Sequence, residues 1–148
     1  MAETTTPIRF HGEFNHTLDT KGRLILPARY RDQFVDGLRI TRGHEHALQV
    51  WTMAGYDRTV ETLAALPEGS RKARIRRRVF MSAHVDTPDS QGRIGIPPPL
   101  REYAELEREL TVIGNFDHLE IWDRANWEAY IHAAEAELAA GGDDDLGI

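Results

Sequence analysis

Two short polar segments of the chain repeat the same chemistry. Asp19-Thr20-Lys21-Gly22-Arg23 and Asp89-Ser90-Gln91-Gly92-Arg93 each set a carboxylate four residues ahead of a guanidinium, with glycine directly before the arginine. An aspartate that opens a type I turn accepts the turn's amides, and glycine at the fourth position permits positive φ. The arginine is then placed to reach back across the turn to the aspartate. Taken singly, Asp19 with Gly22 and Asp89 with Gly92 read as hairpin turns and no more. Taken as a pair on a symmetric body, they orient Arg23 and Arg93 on one surface, a chemistry suited to DNA phosphates or guanine edges. Lys21 and Arg29 strengthen the first copy, with Arg31, Arg39 and Arg42 nearby. The neutral Gln91 stands where Lys21 does, so the second contact should be weaker or lean more on direct hydrogen bonds.

Other chemistry is hard to find. His44-Glu45-His46 sets two imidazoles in alternation, but no third or fourth ligand is evident, and a loop without metal is expected. No Gly-x-Ser-x-Gly elbow, phosphate-binding glycine loop or His-Glu-x-x-His spacing occurs. Asp86 and Asp89 are close in sequence, but His16 occupies the position of Asp86 in the first copy. Cysteine is absent, which removes disulfides and thiolate chemistry. We expect no enzyme, no cofactor and no metal.

The loops sit inside a tandem repeat. Leu18–Pro27 aligns with Pro88–Pro97 at an offset of 70, with Asp, Gly, Arg and Pro identical. After one inserted residue, Gly43, Leu48 and Trp51 meet Gly114, Leu119 and Trp122, and Tyr56 and Val60 meet Trp127 and Ile131. Each copy predicts a strand (14–18 or 83–87), the turn, and a second strand with Leu24/Leu26 or Ile94/Ile96 on one face. A proline-led short helix follows (27–34 or about 99–106). Two more strands come next (38–41 with 48–51, and 110–113 with 119–122). A helix closes each copy, capped by Thr52 or Asp123. Its apolar face is Tyr56, Val60 and Leu63 in the first copy, and Trp127, Tyr130, Ile131, Ala134 and Leu138 in the second.

Pro67-Glu68-Gly69 breaks the chain between copies, and Ser70 starts a further helix to about Ser82. In that helix Arg71, Arg74 and Arg78 form a stripe beside Ile75 and Val79. We expect it to pack through Ile75, Val79 and Phe80 rather than face DNA. Trp51 and Trp122 read as core anchors. A unit of four short strands leaves open edges and one small apolar face, so two units should stack or interleave, as in closed barrels. The expected organisation is a first repeat at 12–58, linking helices at 59–82, a second repeat at 83–126, a C-terminal helix at 127–140 and a disordered tail at 141–148.

The 148 residues are 41% hydrophobic and 28% charged, enough for a core and too apolar for general disorder. No membrane span or secretion signal is evident, and a cytoplasmic protein is expected. The net charge of −6 argues against a polyanionic partner, but its distribution does not. Residues 1–82 carry 14 cations and 9 carboxylates, whereas residues 83–148 carry 4 and 15.

The run Phe14–Arg31 resembles the opening of the bacterial MraZ transcriptional regulators, and Gly92–Arg101 with Leu119-Glu120-Ile121-Trp122 repeats the likeness. The similarity spans about residues 10–138. It implies a mainly β fold with capping helices, in which two AbrB-like, double-split β-barrel repeats form one pseudo-twofold body. It also implies a ring-shaped homo-oligomer that binds double-stranded DNA at direct repeats and represses the division and cell-wall gene cluster, placing the protein at the nucleoid. The family's motif arginines map onto Arg23 and Arg93. The competing reading from another class is a non-catalytic scaffold or antitoxin-like module whose acidic second half docks a basic protein.

Overall fold

The structure, a computed structural model, describes residues 9–67 and 69–141. The tail beyond Gly141, and Glu68 within the break between copies, lie outside the described residues. In the first copy, β1 (Glu13–Thr17) leads through the Asp19 turn into β2 (Arg23–Ile25), whose Leu24 is fully buried. β3 (Leu38–Arg42) and β4 (Leu48–Thr52) form a hairpin, followed by α1 (Met53–Ala64) and α2 (Arg71–Met81). The second copy repeats the order with β5 (His84–Asp86), β6 (Arg93–Gly95), α3 (Pro98–Tyr103), β7 (Glu109–Asn115), β8 (His118–Asp123) and α4 (Arg124–Ala140).

The helix starts follow the capping residues. Thr52 Oγ1 accepts from the Gly55 amide at 3.0 Å, Ser70 Oγ from Ala73 at 3.3 Å, and an Asp123 carboxylate oxygen from Asn126 at 3.2 Å. The proline-led segment of the first copy is a 3-10 helix, Ala28–Phe34, rather than an α-helix. Pro27 stands outside it with extended ψ, and the Tyr30 amide bonds the Pro27 carbonyl three residues back. Its counterpart α3 is α-helical and begins at Pro98, with proline tolerated in its first turn.

The two copies are interleaved. β1 of the first copy pairs antiparallel with β7 of the second, while β5 of the second pairs with β3 of the first. β4 and β8 join the halves in a six-stranded sheet of order β1-β7-β8-β4-β3-β5. β2 and β6 form a separate two-stranded ribbon. Neither copy pairs all its strands internally, which explains why one unit alone is insufficient. No ladder joins ribbon to sheet, so the described strands do not close into a barrel; β1 and β5 remain sheet edges.

The main core lies between ribbon and sheet. Leu24, Leu26, Ile94 and Ile96 meet Leu38, Ile40, Val50, Leu110, Val112 and Ile121, drawn from both copies and nearly inaccessible to water. A smaller cluster of Trp51, Tyr56, Leu63 and Phe80 sits under α1 and α2. Trp51 and Trp122 are each 4% exposed, as core anchors should be.

Three sequence expectations need correction. Strand register pairs Arg42 with Leu48 and Gly114 with Leu119, so Gly114 corresponds to Arg42 and not to Gly43. The β7–β8 turn is one residue shorter than the β3–β4 turn, and that deletion creates the false match. Gly114 is required for a different reason: a Cβ there would collide with the backbone of His11, and its amide bonds the Gly12 carbonyl. Second, α2 packs through Ala73 and Phe80, leaving Ile75 43% exposed. Third, only part of the apolar face of α4 is covered: Trp127, Ile131 and Ala134 are half-buried, whereas Tyr130 and Leu138 are exposed.

Candidate nucleic-acid interface

Each Asp–Arg loop is a turn closed at both ends. The Gly22 amide donates to the Asp19 carbonyl at 3.0 Å and the Asp19 amide to the Arg23 carbonyl at 2.9 Å; the Asp89 loop has 2.9 and 3.0 Å in the same places. Gly22 and Gly92 have φ of +76° and +77°, a conformation L side chains rarely adopt. This is a type I turn followed by a left-handed glycine.

The aspartates are saturated with donors. Asp19 Oδ1 accepts the amides of Lys21 and Arg23, both at 2.9 Å, while Oδ2 takes Arg23 Nε at 2.9 Å. Asp89 takes the Gln91 and Arg93 amides at 2.9 Å and Arg93 Nε at 2.7 Å. The backbone amide of the arginine, then its side chain, holds each carboxyl below the usual range against the opposing effect of desolvation. Both ion pairs are about a third exposed, where such a pair adds little to stability. Their consequence is orientation: engagement through Nε leaves the terminal nitrogens of both arginines for another acceptor.

The ribbon then places both arginines together. Arg23 pairs with Gly95 and Ile25 with Arg93, so Arg23 and Arg93 are diagonal neighbours, with Cα atoms roughly 7–8 Å apart. Leu24 and Ile94 point into the core, and alternation therefore turns Arg23, Ile25 and Arg93 to the outer face. Ile25 between them is 41% exposed.

Lys21 lies exposed on the first turn, and Gln91 is its counterpart. Arg29 is exposed, and its guanidinium lies 5.7 Å above the Phe14 ring on β1. His44 and His46 face different partners, Arg76 at 3.4 Å and the Tyr103 carbonyl at 2.9 Å. Among the described residues, no group of three or more His, Asp or Glu side chains is placed to hold a metal.

Sequence reasoning counted Arg31 only as nearby charge and gave Arg101 no role at the loops. Arg31 of the first repeat lies against Gly92, where a Cβ would come within 2.7 Å of its Cδ; Arg101 of the second lies equally close to Gly22 through Nη1. Each loop thus rests on an arginine of the other repeat. Arg31 is anchored by Nε donating to the Leu26 carbonyl at 2.9 Å. The available signal was their identity at the same offset of 70 that relates the loops. With them, five cations stand at the ribbon against three carboxylates, Asp19, Asp89 and Asp86, whose Oδ2 accepts the Gly95 amide at 2.7 Å, despite the acidic total. Acidic charge collects elsewhere, in a cleft where Glu105, Glu107, Glu109, Asp123 and Glu128 outnumber Arg108 and Arg124.

Fold and site together define a two-repeat β protein whose interleaved halves present paired Asp–Arg turns on one ribbon. The family described as "MraZ protein, putative antitoxin-like" matches residues 9–78 and again 79–147. The chain is 47% identical over 131 residues to "Transcriptional regulator MraZ" of Kineococcus radiotolerans, covering 88% of this chain and 92% of the relative. It is 44% identical over 138 residues to the protein of that name in Paenarthrobacter aurescens, with 93% and 96% covered. A third relative so named, from Halothermothrix orenii, is 41% identical over 142 residues, with 94% and 99% covered. The chain belongs to the MraZ family.

Proposed function

We propose that this protein is a sequence-specific DNA-binding transcriptional regulator that represses the division and cell-wall gene cluster from direct repeats upstream of its own gene. The observation that carries this reading is the outward pair Arg23 and Arg93, each fixed by its own aspartate on one antiparallel ribbon. The two arginines read base edges or phosphates; Lys21 adds charge, and Asp19, Gly22, Asp89 and Gly92 hold the geometry. Arg29 contributes through the field of the first repeat. The halves at 12–58 and 83–126 are AbrB-like, double-split repeats, linked by helices at 59–82. The function needs no cofactor and no catalytic step, and the protein works at the nucleoid in the cytoplasm.

One subunit with two small loops makes few phosphate contacts, so affinity at physiological salt comes from several subunits acting together. Subunits related by rotation around a ring meet DNA in the same orientation and therefore read direct repeats spaced near one helical turn, about 10 bp. The test is a titration with the DNA upstream of its own gene at two salt concentrations. Specific, salt-sensitive binding that collapses when the repeats are cut to one, or when half a turn is inserted, is expected. No retention at low salt favours the scaffold or antitoxin-like reading.

A further inference from the structure

The face of the sheet opposite the ribbon carries a second concave site. Alternation along β4 turns Leu48 and Val50 toward the ribbon and Trp51 to the other side, under α1 and α2. There the two helices, the β3–β4 turn and the β7–β8 turn enclose a cleft of about 700 Å³, a size common among small-molecule sites. Its lining comes from both repeats, with Lys72, Ile75 and Arg76 from the first and Tyr103, Asp117 and His118 from the second. The walls are tied together. The Tyr103 hydroxyl donates to the Gly43 carbonyl, the Tyr103 carbonyl accepts from His46 Nδ1 at 2.9 Å, and the Trp51 and His118 rings stack with centres 4.5 Å apart.

The lining has two chemical halves. Leu63 and Val79 form an apolar wall over the Trp51 and Phe80 rings, and Ile75, 43% exposed, carries that wall to the rim. The other half is Arg42, Lys72 and Arg76. Among the described residues no carboxylate stands within ion-pair distance of any of the three. Arg42 lies 5.8 Å from the centre of the Tyr103 ring and Arg76 meets the His44 imidazole at 3.4 Å, so neither contact supplies a negative charge. The one carboxylate in the lining, Asp117, is engaged by His118 Nδ1 at 2.8 Å. The chain has 24 carboxylates against 18 cations, yet it places none of them against these three. An apolar wall rimmed by unneutralised cations is complementary to an anion with an apolar body.

We propose that this cleft binds a small organic anion, a carboxylate or phosphate head on an aromatic or branched apolar body. The body lies along Leu63, Ile75 and Val79, and the head meets Lys72 and Arg76. A free inorganic anion lacks the body and a neutral apolar molecule lacks the head, so both bind poorly. Because the walls come from both repeats, the ligand joins them and stabilises the folded chain. The site lies across the sheet from Arg23 and Arg93, and the inference stands apart from the DNA reading.

The probes are anilinonaphthalene sulfonate and phenylnaphthylamine, the same aromatic body with and without an anionic group. Both brighten on leaving water, and titration of the full chain measures the affinity of each. The sulfonate should occupy a single site per subunit, bind about tenfold more tightly than the neutral amine, and raise the melting temperature. Lys72→Glu with Arg76→Glu should remove that advantage and leave the amine unchanged. Thr62→Trp, which fills the cleft from an exposed position on α1, should weaken both probes. Inorganic phosphate at the same concentration should displace neither. Leu138→Asp, at the exposed end of α4, should change nothing, which separates the cleft from the other apolar surface. Melting curves report folding, and Lys72→Gln with Arg76→Gln carries the same expectation should the charge reversals unfold the chain. No saturable binding, equal affinity for the two probes, sulfonate binding indifferent to the charge changes, binding lost in Leu138→Asp, or displacement by phosphate alone overturns the proposal.

Discussion

Alanine at Gly92 should destabilise the protein more than alanine at Gly22, although the two glycines are repeat equivalents. Both share a backbone cost, since left-handed φ in a residue with Cβ costs about 1–2 kcal/mol. They differ in what the new methyl meets. At Gly22 it meets the tip of Arg101, with Nη1 at 2.7 Å and Cζ at 2.9 Å. That tip can swing away, and Arg101 Nε has no hydrogen-bond partner among the described residues to lose. At Gly92 it meets the middle of Arg31, Cδ at 2.7 Å and Nε at 2.8 Å, and that Nε is the atom bonded to the Leu26 carbonyl. Moving Arg31 breaks the bond, adding about 0.5–1.5 kcal/mol. Gly92→Ala should therefore cost about 1.5–3.5 kcal/mol against about 1–2 for Gly22→Ala. Urea unfolding followed by tryptophan fluorescence, at one fixed protein concentration, measures both. Adding Arg31→Ala to Gly92→Ala should cost less than the sum of the single changes, because the collision and the bond vanish together. Equal losses at the two glycines, or strict additivity of the double variant, would refute the reasoning.

Arg23→Ala should lower operator affinity by about 1–3 kcal/mol per subunit while leaving the melting curve in place; Arg93→Ala should do the same or somewhat less. Gel shift measures both, and wild-type affinity in the folded Arg23→Ala protein would remove Arg23 from the interface. Asp19→Ala should weaken DNA binding even though it deletes a negative charge, because Arg23 loses the carboxylate that orients it; tighter binding in the same assay would assign Asp19 a purely electrostatic role. His118 provides a pH test: burial favours its neutral form, but the Glu120 carboxylate 3.8 Å from Nε2 and the Asp117 carboxylate bonded to Nδ1 at 2.8 Å prevail and lift it above 6.5. A raised folded value means its contribution is complete below 6.5 and fades as pH climbs through that value, so the urea midpoint should fall on the alkaline side of 6.5. His16, lowered by burial and then by Arg31 and Arg124, acts with opposite sign, weakening the fold as pH drops below 6.5. His118→Gln should flatten the alkaline slope, and an unchanged slope would assign it to another group.

Much of the local structure was legible because it is written in short-range chemistry. Asp at the first turn position, glycine at the fourth and arginine next specify the loop, since the hydrogen bonds that close it lie within five residues. The caps at Thr52, Ser70 and Asp123 were legible for the same reason. Less legible was the register across the β3–β4 turn, where a one-residue change in turn length mimics a conserved spacing and pairs Gly43 with the wrong partner. The contact of Arg29 with Phe14 was not legible from nearness in sequence, because Phe14 sits on another strand.

The sequence by itself determined that there are two copies, that each carries an Asp–Arg turn, and that both turns precede a strand with one apolar face. Periodicity and turn chemistry are properties of a few consecutive residues, so they survive without knowledge of what lies across the core. Only the tertiary structure decided that β2 pairs with β6, with Arg23 diagonal to Arg93, and that β1 and β5 cross into the opposite copy. It also decided that Arg31 and Arg101 support the loops of the other repeat, and that α1 is covered while α4 is covered only in part. The strand and loop relations join residues 44 or more positions apart, where the partner is chosen by which apolar faces and strand edges remain unsatisfied once local structure has formed.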